Sequence, residues 1–171
     1  RSRRQRQMCI RDSGMTNGYE RPASVFDMVG GHEAFTTLVD TFYDGVAQDD
    51  YLIAMYPEGH ELEGAKHRLQ TFLEQYFGGP TTYQEERGHP RLRMRHAPFP
   101  VTPKSREHWL KHMRHALDQL NLPPMYDSLM WDYFERAATA MLNTPDEDSD
   151  EHRIDPSRRP VSYTHLRAHE T

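Results

Sequence analysis

The sequence predicts an all-helical protein with one domain. Its apolar residues recur at three- and four-residue steps in four separate stretches, which is the spacing of one face of an α-helix. Glycine and proline clusters divide these stretches, and no stretch alternates apolar and polar residues as a half-buried strand would. A chain of 171 residues is long enough for one domain with a sizeable core.

The first two helices are predicted by their apolar stripes and by the glycines at their ends. Gly30-Gly31 would end any earlier helix. The first stripe then consists of Phe35, Leu38, Val39, Phe42 and Val46. The second stripe consists of Leu62, Ala65, Leu69, Phe72, Leu73 and Tyr76. Gly78-Gly79-Pro80 closes the second helix, because glycine tolerates a left-handed cap and proline cannot continue a helix.

Proline marks the start of each of the last two predicted helices. Thr102-Pro103 is typical of an N-cap followed by proline at the first helical position. The stripe behind it consists of Trp109, Met113, Ala116, Leu117 and Leu120. Pro123-Pro124 interrupts the chain before the last helix. The last stripe consists of Leu129, Met130, Tyr133, Phe134, Ala137, Met141 and Leu142.

The two ends of the chain differ from its middle. Residues 1–14 and 155–171 show no helical periodicity and resemble peptides translated from sequencing-adapter DNA, and Met15 is a natural start. We therefore expect a domain over residues 15–145 and an acidic disordered tail over residues 146–154. The alternative for the basic residues near the start is an arm that binds nucleic acid or a membrane.

Charge, cysteine content and hydropathy argue against several functions. The net charge is −5 although both ends are basic, so the middle of the chain lacks the basic character of a nucleic-acid-binding protein. Cys9, the only cysteine, lies in the atypical first segment, which argues against disulfides and cysteine catalysis. Apolar runs are too short for a membrane span, and nothing resembles a signal peptide, so we expect a cytoplasmic protein.

The segment from Arg91 to Val101 is the most informative part of the sequence. It places His96 between a basic stretch and an exit broken by proline. An imidazole at the end of a short helix, with arginines beside it, offers a nitrogen for haem iron and cations for the haem propionates. The alternative is a surface histidine at a helix end, which is the usual fate of a single histidine.

Landmarks spread over residues 25–144 extend this argument to the whole domain. They are Phe42-Tyr43, Tyr56-Pro57, residues 72–76 with Gly78-Gly79-Pro80, residues 88–92, residues 95–99 and Trp109. In this ordered set the chain resembles the truncated haemoglobins of the second group, which are common in actinobacteria. The resemblance implies a truncated globin fold, in which a two-over-two helical sandwich surrounds haem.

The resemblance implies a role for His96 as the proximal ligand, the side chain that binds haem iron. A single axial imidazole leaves the opposite iron face open to a gas ligand. Its other ring nitrogen should donate a hydrogen bond to a backbone carbonyl or to water, which fixes the tautomer. Because no Cys-x-x-Cys-His motif occurs, the haem should be non-covalent b type.

The resemblance also implies a distal pocket, on the ligand side of the haem, with Tyr43, Tyr56 and Trp109 as donors. The alternative for each is an ordinary core aromatic residue. The usual distal histidine is expected to be absent, because Ala65 stands at the matching place, Leu69 follows one turn on, and His67 lies on another face. This alignment depends on an extra residue near 58–60, relative to shorter members of the family.

Further haem contacts are expected from the same segments. The candidates for the propionates are Tyr83, Arg91 and Arg95, since arginine offers a bidentate fork to a carboxylate. The alternative for these residues is a solvated charged face. The expected apolar walls of the haem pocket are Leu69, Phe72, Leu73, Phe77, Met94, Phe99 and Val101. Each of them could equally belong to the ordinary core.

Three functions from different classes remain open. The first is redox chemistry on oxygen, nitric oxide or peroxide, with electrons from a cytoplasmic reductase. The second is an oxygen carrier or sensor, and a homodimer is possible in either case. The third is a haem-free bundle that binds zinc through His108, His112 and His115, which share one helical face. For these histidines a solvated face is expected rather than zinc.

Overall fold

The structure, a computed structural model, describes residues 22–146. The helices are α1 (Val25–Val29), α2 (Gly31–Ala47), α3 (Asp50–Ile53), α4 (Glu63–Tyr76), α5 (Thr82–Arg87), α6 (Leu92–His96), α7 (Pro103–Asp118) and α8 (Pro124–Ala140). No strand occurs among these residues, which confirms the all-α prediction. The predictions for residues 1–14, 147–154 and 155–171 lie outside the described residues. Within residues 22–146, no helix is both long and apolar enough to cross a membrane.

The four long helices begin where the sequence predicts, but α7 ends at Asp118 and α8 ends at Ala140, before the last apolar residues of their predicted stripes. Gly30 has a φ of 119°, caps α1, and allows the chain to turn into α2. Thr102 and Ser105 form a reciprocal capping box, and Pro103 opens α7. α4 ends at Tyr76, just before the glycine pair, and α8 begins at Pro124.

The four long helices pack in two connected pairs. α2 packs against α4 and α7, and α7 packs against α8. The interior between them is apolar and close-packed. Its largest fully buried side chains are Phe35, Leu38, Val39, Phe42, Val46, Leu73, Met113, Leu117, Met130 and Phe134. These residues come from all four predicted stripes.

The sequence predicts Tyr76 and Leu129 as residues of apolar stripes that face the core, and for these two the prediction is wrong. Tyr76 is 49% exposed, because it lies at the last residue of α4 and stacks on Tyr133 at the surface, with ring centroids 4.0 Å apart. Leu129 is 43% exposed, whereas the next residue, Met130, is fully buried. Adjacent helical residues point about 100° apart, so with Met130 directed into the core Leu129 lies toward the edge of the apolar face.

Candidate functional site

His96 is the last residue of the short helix α6. Its Nδ1 lies 2.8 Å from the carbonyl oxygen of Leu92, one helical turn earlier. A carbonyl oxygen only accepts hydrogen bonds, so Nδ1 carries the proton and donates it. In the neutral imidazole, Nε2 then holds the free lone pair that a metal requires. The predicted hydrogen bond from His96 to a backbone carbonyl is confirmed.

Apolar side chains at and after α6 are unusually exposed. Met94 is 57% exposed and Phe99 is 36% exposed, while Val101 is half-buried. Phe72 and Leu73 of α4, by contrast, are buried in the core. Large exposed apolar groups beside a metal-competent imidazole are what a planar apolar group would cover. The residues present therefore fit haem.

The three predicted ligand donors, Tyr43, Tyr56 and Trp109, form one aromatic cluster with Phe42. The ring centroids of Tyr43 and Tyr56 are 5.9 Å apart, and those of Phe42 and Trp109 are 5.1 Å apart. Tyr43 meets Phe42 edge-on at 4.9 Å. α2, the turn after α3, and α7 therefore bring together the three residues that the sequence separates. Whether they contact a ligand stays a prediction.

The two phenols of this cluster stay protonated over the physiological pH range. Burial raises the pKa of Tyr43 well above its ordinary value, and the neighbouring Tyr56 raises it further. Burial also raises the pKa of Tyr56, to about 12, although its hydrogen bond with Tyr43 acts in the opposite direction. Both hydroxyls are thus neutral, and they are joined by a hydrogen bond whose effects on the two pKa values are those of Tyr43 donating to Tyr56.

Ala65 and Leu69 of α4 face the core and His67 does not, while the place of Ala65 in a distal pocket stays a prediction. Ala65 is buried, and Leu69 is half-buried against the core. His67 is exposed, and its Nε2 lies 2.8 Å from a carboxylate oxygen of Glu86. The different face expected for His67 is confirmed.

The residues predicted to bind propionates have different environments. Arg91 is exposed and has a φ of 44°, whereas the ring of Tyr83 is buried. Arg95 binds backbone carbonyls instead: its Nε lies 2.6 Å from Pro90 O, and its Nη2 lies 2.8 Å from Arg87 O. This guanidinium therefore holds the loop that enters α6, and only part of its donor set remains for a carboxylate.

The predicted solvated face of α7 is wrong for two of its three histidines. His108 Nδ1 and His112 Nε2 lie 2.8 and 2.7 Å from the same Oδ2 atom of Asp49, while His115 is exposed. Burial raises the pKa of Asp49, but hydrogen bonds from both imidazoles and from Leu52 N outweigh it and hold this pKa well below its usual range. Among residues 22–146, no group of three or more His, Cys, Asp or Glu side chains is arranged to hold a metal ion.

Sequence reasoning missed two polar residues that organise this region. Asp49 meets His108 across 59 residues, and Asn143 meets His96 across 47 residues. The only local signal was an acidic residue before a short helix, which is typical of an N-cap, and Asp49 does cap α3. No short-range pattern indicates such distant partners.

Comparisons with known proteins agree with this geometry. A hemoglobin from the actinobacterium Thermobifida fusca, described as thermostable, is 50% identical with a TM-score of 0.70, and the match covers 72% of this chain and 100% of that one. A truncated oxygen-avid haemoglobin from Bacillus subtilis is 36% identical with a TM-score of 0.66, covering 71% and 100%. The group 2 truncated hemoglobin YjbI of Bacillus subtilis is 39% identical over 113 residues, which are 66% of this chain and 84% of that protein.

The fold and the site thus define a truncated, two-on-two helical globin. The family model for bacterial-like globins matches residues 24–143, which is most of the chain. The chain belongs to this family, and its relatives place it with the group II truncated haemoglobins. Binding of haem and of oxygen is the general function of globins.

Proposed function

We propose that the chain binds haem b through His96 and performs redox chemistry on the diatomic ligand. The two candidate reactions are oxidation of nitric oxide with dioxygen and one electron to nitrate, and reduction of peroxide with two electrons and two protons to water. Haem, when bound, supplies the iron that takes the ligand and exchanges the electrons. The protein supplies the iron ligand, the donors and the apolar surroundings.

The observation that carries the proposal is the tautomer of His96. Its Nδ1 donates to Leu92 O at 2.8 Å, so Nε2 is left as the unprotonated nitrogen at the end of α6. The exposed side chains of Met94 and Phe99 supply apolar contact area nearby. No cysteine lies in residues 22–146, which supports a haem held without covalent bonds.

The aromatic cluster favours chemistry over transport. Hydrogen bonds to charged groups contribute roughly 1.5–3 kcal/mol each. Two effective donors among Tyr43, Tyr56 and Trp109 would slow the release of a negatively polarised ligand by about two to four decades. A protein that releases oxygen so slowly is a poor carrier, and the oxygen-avid relative from Bacillus subtilis is in line with this expectation.

Turnover would need an external electron source. The domain over residues 22–146 is fully occupied by the helical sandwich, so we propose that a cytoplasmic reductase supplies the electrons. Rapid reduction of the ferric protein with neither a reductase nor an added donor would remove the reason for this partner. An oxygen carrier or sensor, as a monomer or a homodimer, is the second candidate, favoured if oxygen release proves fast.

The experiment that tests haem ligation is His96→Gly with rescue by imidazole. We expect the haem absorption band of the reconstituted protein to be lost or shifted by the substitution and restored when imidazole fills the space of the missing side chain. His89→Gly, in the exposed loop before α6, is the matched control and should leave the spectrum unchanged. An unaltered spectrum in His96→Gly would contradict the proposed ligand.

A further inference from the structure

The helix that carries His96 lacks the support that helices ordinarily have. α6 has only five residues, and none of its side chains is fully buried; Leu92 alone among them packs against the core, and only in part. Isolated helices of this length are unstable in water, and packing of an apolar face normally holds them in place. The position of His96 must therefore depend on other contacts. On the N-terminal side, Arg95 provides them through the carbonyl oxygens of Arg87, His89 and Pro90.

Asn143 provides the contacts on the C-terminal side. Its Nδ2 donates to the backbone carbonyl oxygens of His96 at 3.2 Å and Phe99 at 3.0 Å. Its Oδ1 accepts from the backbone N–H of Val101 at 2.8 Å and from the Thr144 hydroxyl at 2.7 Å. A primary amide has two donor hydrogens and two acceptor lone pairs, so Asn143 uses its full capacity here.

Backbone contacts add to this arrangement. The N–H groups of Asn143 and Thr144 both donate to Val101 O, at 3.0 and 3.1 Å. Residues 143–144 lie two residues beyond the end of α8, whose last helical residue is Ala140. The chain that leaves α8 is therefore hydrogen-bonded to both ends of the segment from His96 to Val101.

We propose that Asn143 is a positioning residue for the iron ligand His96. The inference rests on the proposed haem ligation by His96. Two contacts fix the ligand: Leu92 O orients the imidazole ring, and the Asn143 amide fixes the backbone carbonyl of the same residue. The end of α8 thereby fixes the position of α6, and loss of the amide donors would let α6 shift and would weaken the hold of His96 on haem iron.

The test compares Asn143→Asp with Asn143→Ala. The carboxylate of Asn143→Asp keeps the acceptor for Val101 N, but it cannot donate to the carbonyls of His96 and Phe99. We expect both variants to lower the iron–imidazole stretching frequency of the ferrous protein, measured by resonance Raman. We also expect haem transfer to an excess of an apoglobin acceptor to become about tenfold faster, the effect of two lost hydrogen bonds.

Thr144→Val is the matched control, because it removes a hydrogen bond to Oδ1 and leaves both amide donors in place. It should leave the stretching frequency unchanged even where it lowers the melting temperature. A wild-type frequency and haem-transfer rate in Asn143→Asp would overturn the positioning role. The proposed ligation fails separately, if His96→Gly retains the wild-type spectrum.

Discussion

Burial keeps the hydroxyl of Tyr43 in its neutral, protonated form. Its ring packs edge-on against Phe42, and only 5% of the residue is exposed. Burial and the neighbouring Tyr56 keep its pKa far above the physiological range, so its hydroxyl remains a neutral donor. The hydroxyl shares a hydrogen bond with Tyr56, and a polarised ligand would offer this pair a further acceptor.

Replacing Tyr43 by Phe removes this donor with little change of shape. If the hydroxyl contacts the ligand, we expect oxygen release to become faster by at least about tenfold, the effect of a hydrogen bond of roughly 1.5 kcal/mol. Stopped-flow displacement of oxygen from the ferrous protein measures this rate. Tyr126→Phe, at a half-buried tyrosine of α8, is the control. An unchanged rate in Tyr43→Phe would shift the role to Tyr56 and Trp109.

Single residues differ in how far the sequence predicts them. The imidazole of His96 donates to a carbonyl only four residues away, and the expected role as a metal ligand was enough to predict a partner of this kind, although not Leu92 itself. The contacts of Asn143 with His96, Phe99 and Val101 span 42 to 47 residues, and its identity alone says nothing about them. Arg95 was predicted to bind a carboxylate, but its strongest contacts are with carbonyls of the preceding loop.

At the scale of helices, the crossing of α2 and α7 depends on a glycine. A Cβ atom at Gly45 would lie 2.5 Å from Nδ1 of His112. This imidazole cannot easily move away, because its Nε2 is hydrogen-bonded to Asp49. The absence of a side chain thus lets the two helices approach around the imidazole. Glycine inside a helix is otherwise less favourable than alanine by roughly 0.5–1 kcal/mol.

Gly45→Ala should therefore destabilise the protein by about 1 kcal/mol, because crowding against His112 exceeds the gain in helix propensity. In a His112→Ala background the crowding is absent, and the same substitution should become stabilising by roughly 0.5 kcal/mol. Urea unfolding monitored by circular dichroism gives the free energies of unfolding of the wild type, the two single variants and the double variant. Gly64→Ala, on the exposed face of α4, should be stabilising in either background. Equal effects of Gly45→Ala in both backgrounds would contradict this account of the crossing.

The helices also differ in how well the sequence predicts them. α2, α4, α7 and α8 are long enough for their apolar stripes to repeat, so periodicity identified them. α1, α3 and α5 have only four to six residues, which is too short for a repeat. Their signals are in the caps, such as the capping box of Ser24 with Asp27, and these were not recognised.

At the scale of the whole molecule, Asp49 joins parts of the domain that are distant in sequence. Its Oδ1 caps α3 through Leu52 N, and its Oδ2 accepts from His108 and His112 of α7. The turn after α3 contains Tyr56, and α7 contains Trp109, so the same carboxylate holds together both sides of the aromatic cluster. This arrangement is stable only while the carboxylate is ionised.

The stability of the domain should therefore depend on pH through Asp49. Because its folded-state pKa lies below the unfolded value of about 3.9, its contribution is complete above that value and is lost as pH falls toward the folded-state pKa. We expect Asp49→Asn to lower the free energy of unfolding by about 2 kcal/mol at pH 7, with a difference from wild type that narrows below about pH 4. Urea titrations between pH 3 and pH 7 measure this difference. Asp132→Asn, at an exposed carboxylate paired with Arg136, is the control and should show neither effect. A difference between Asp49→Asn and wild type that stays constant from pH 3 to pH 7 would show that the charge of Asp49 does not hold α3 to α7.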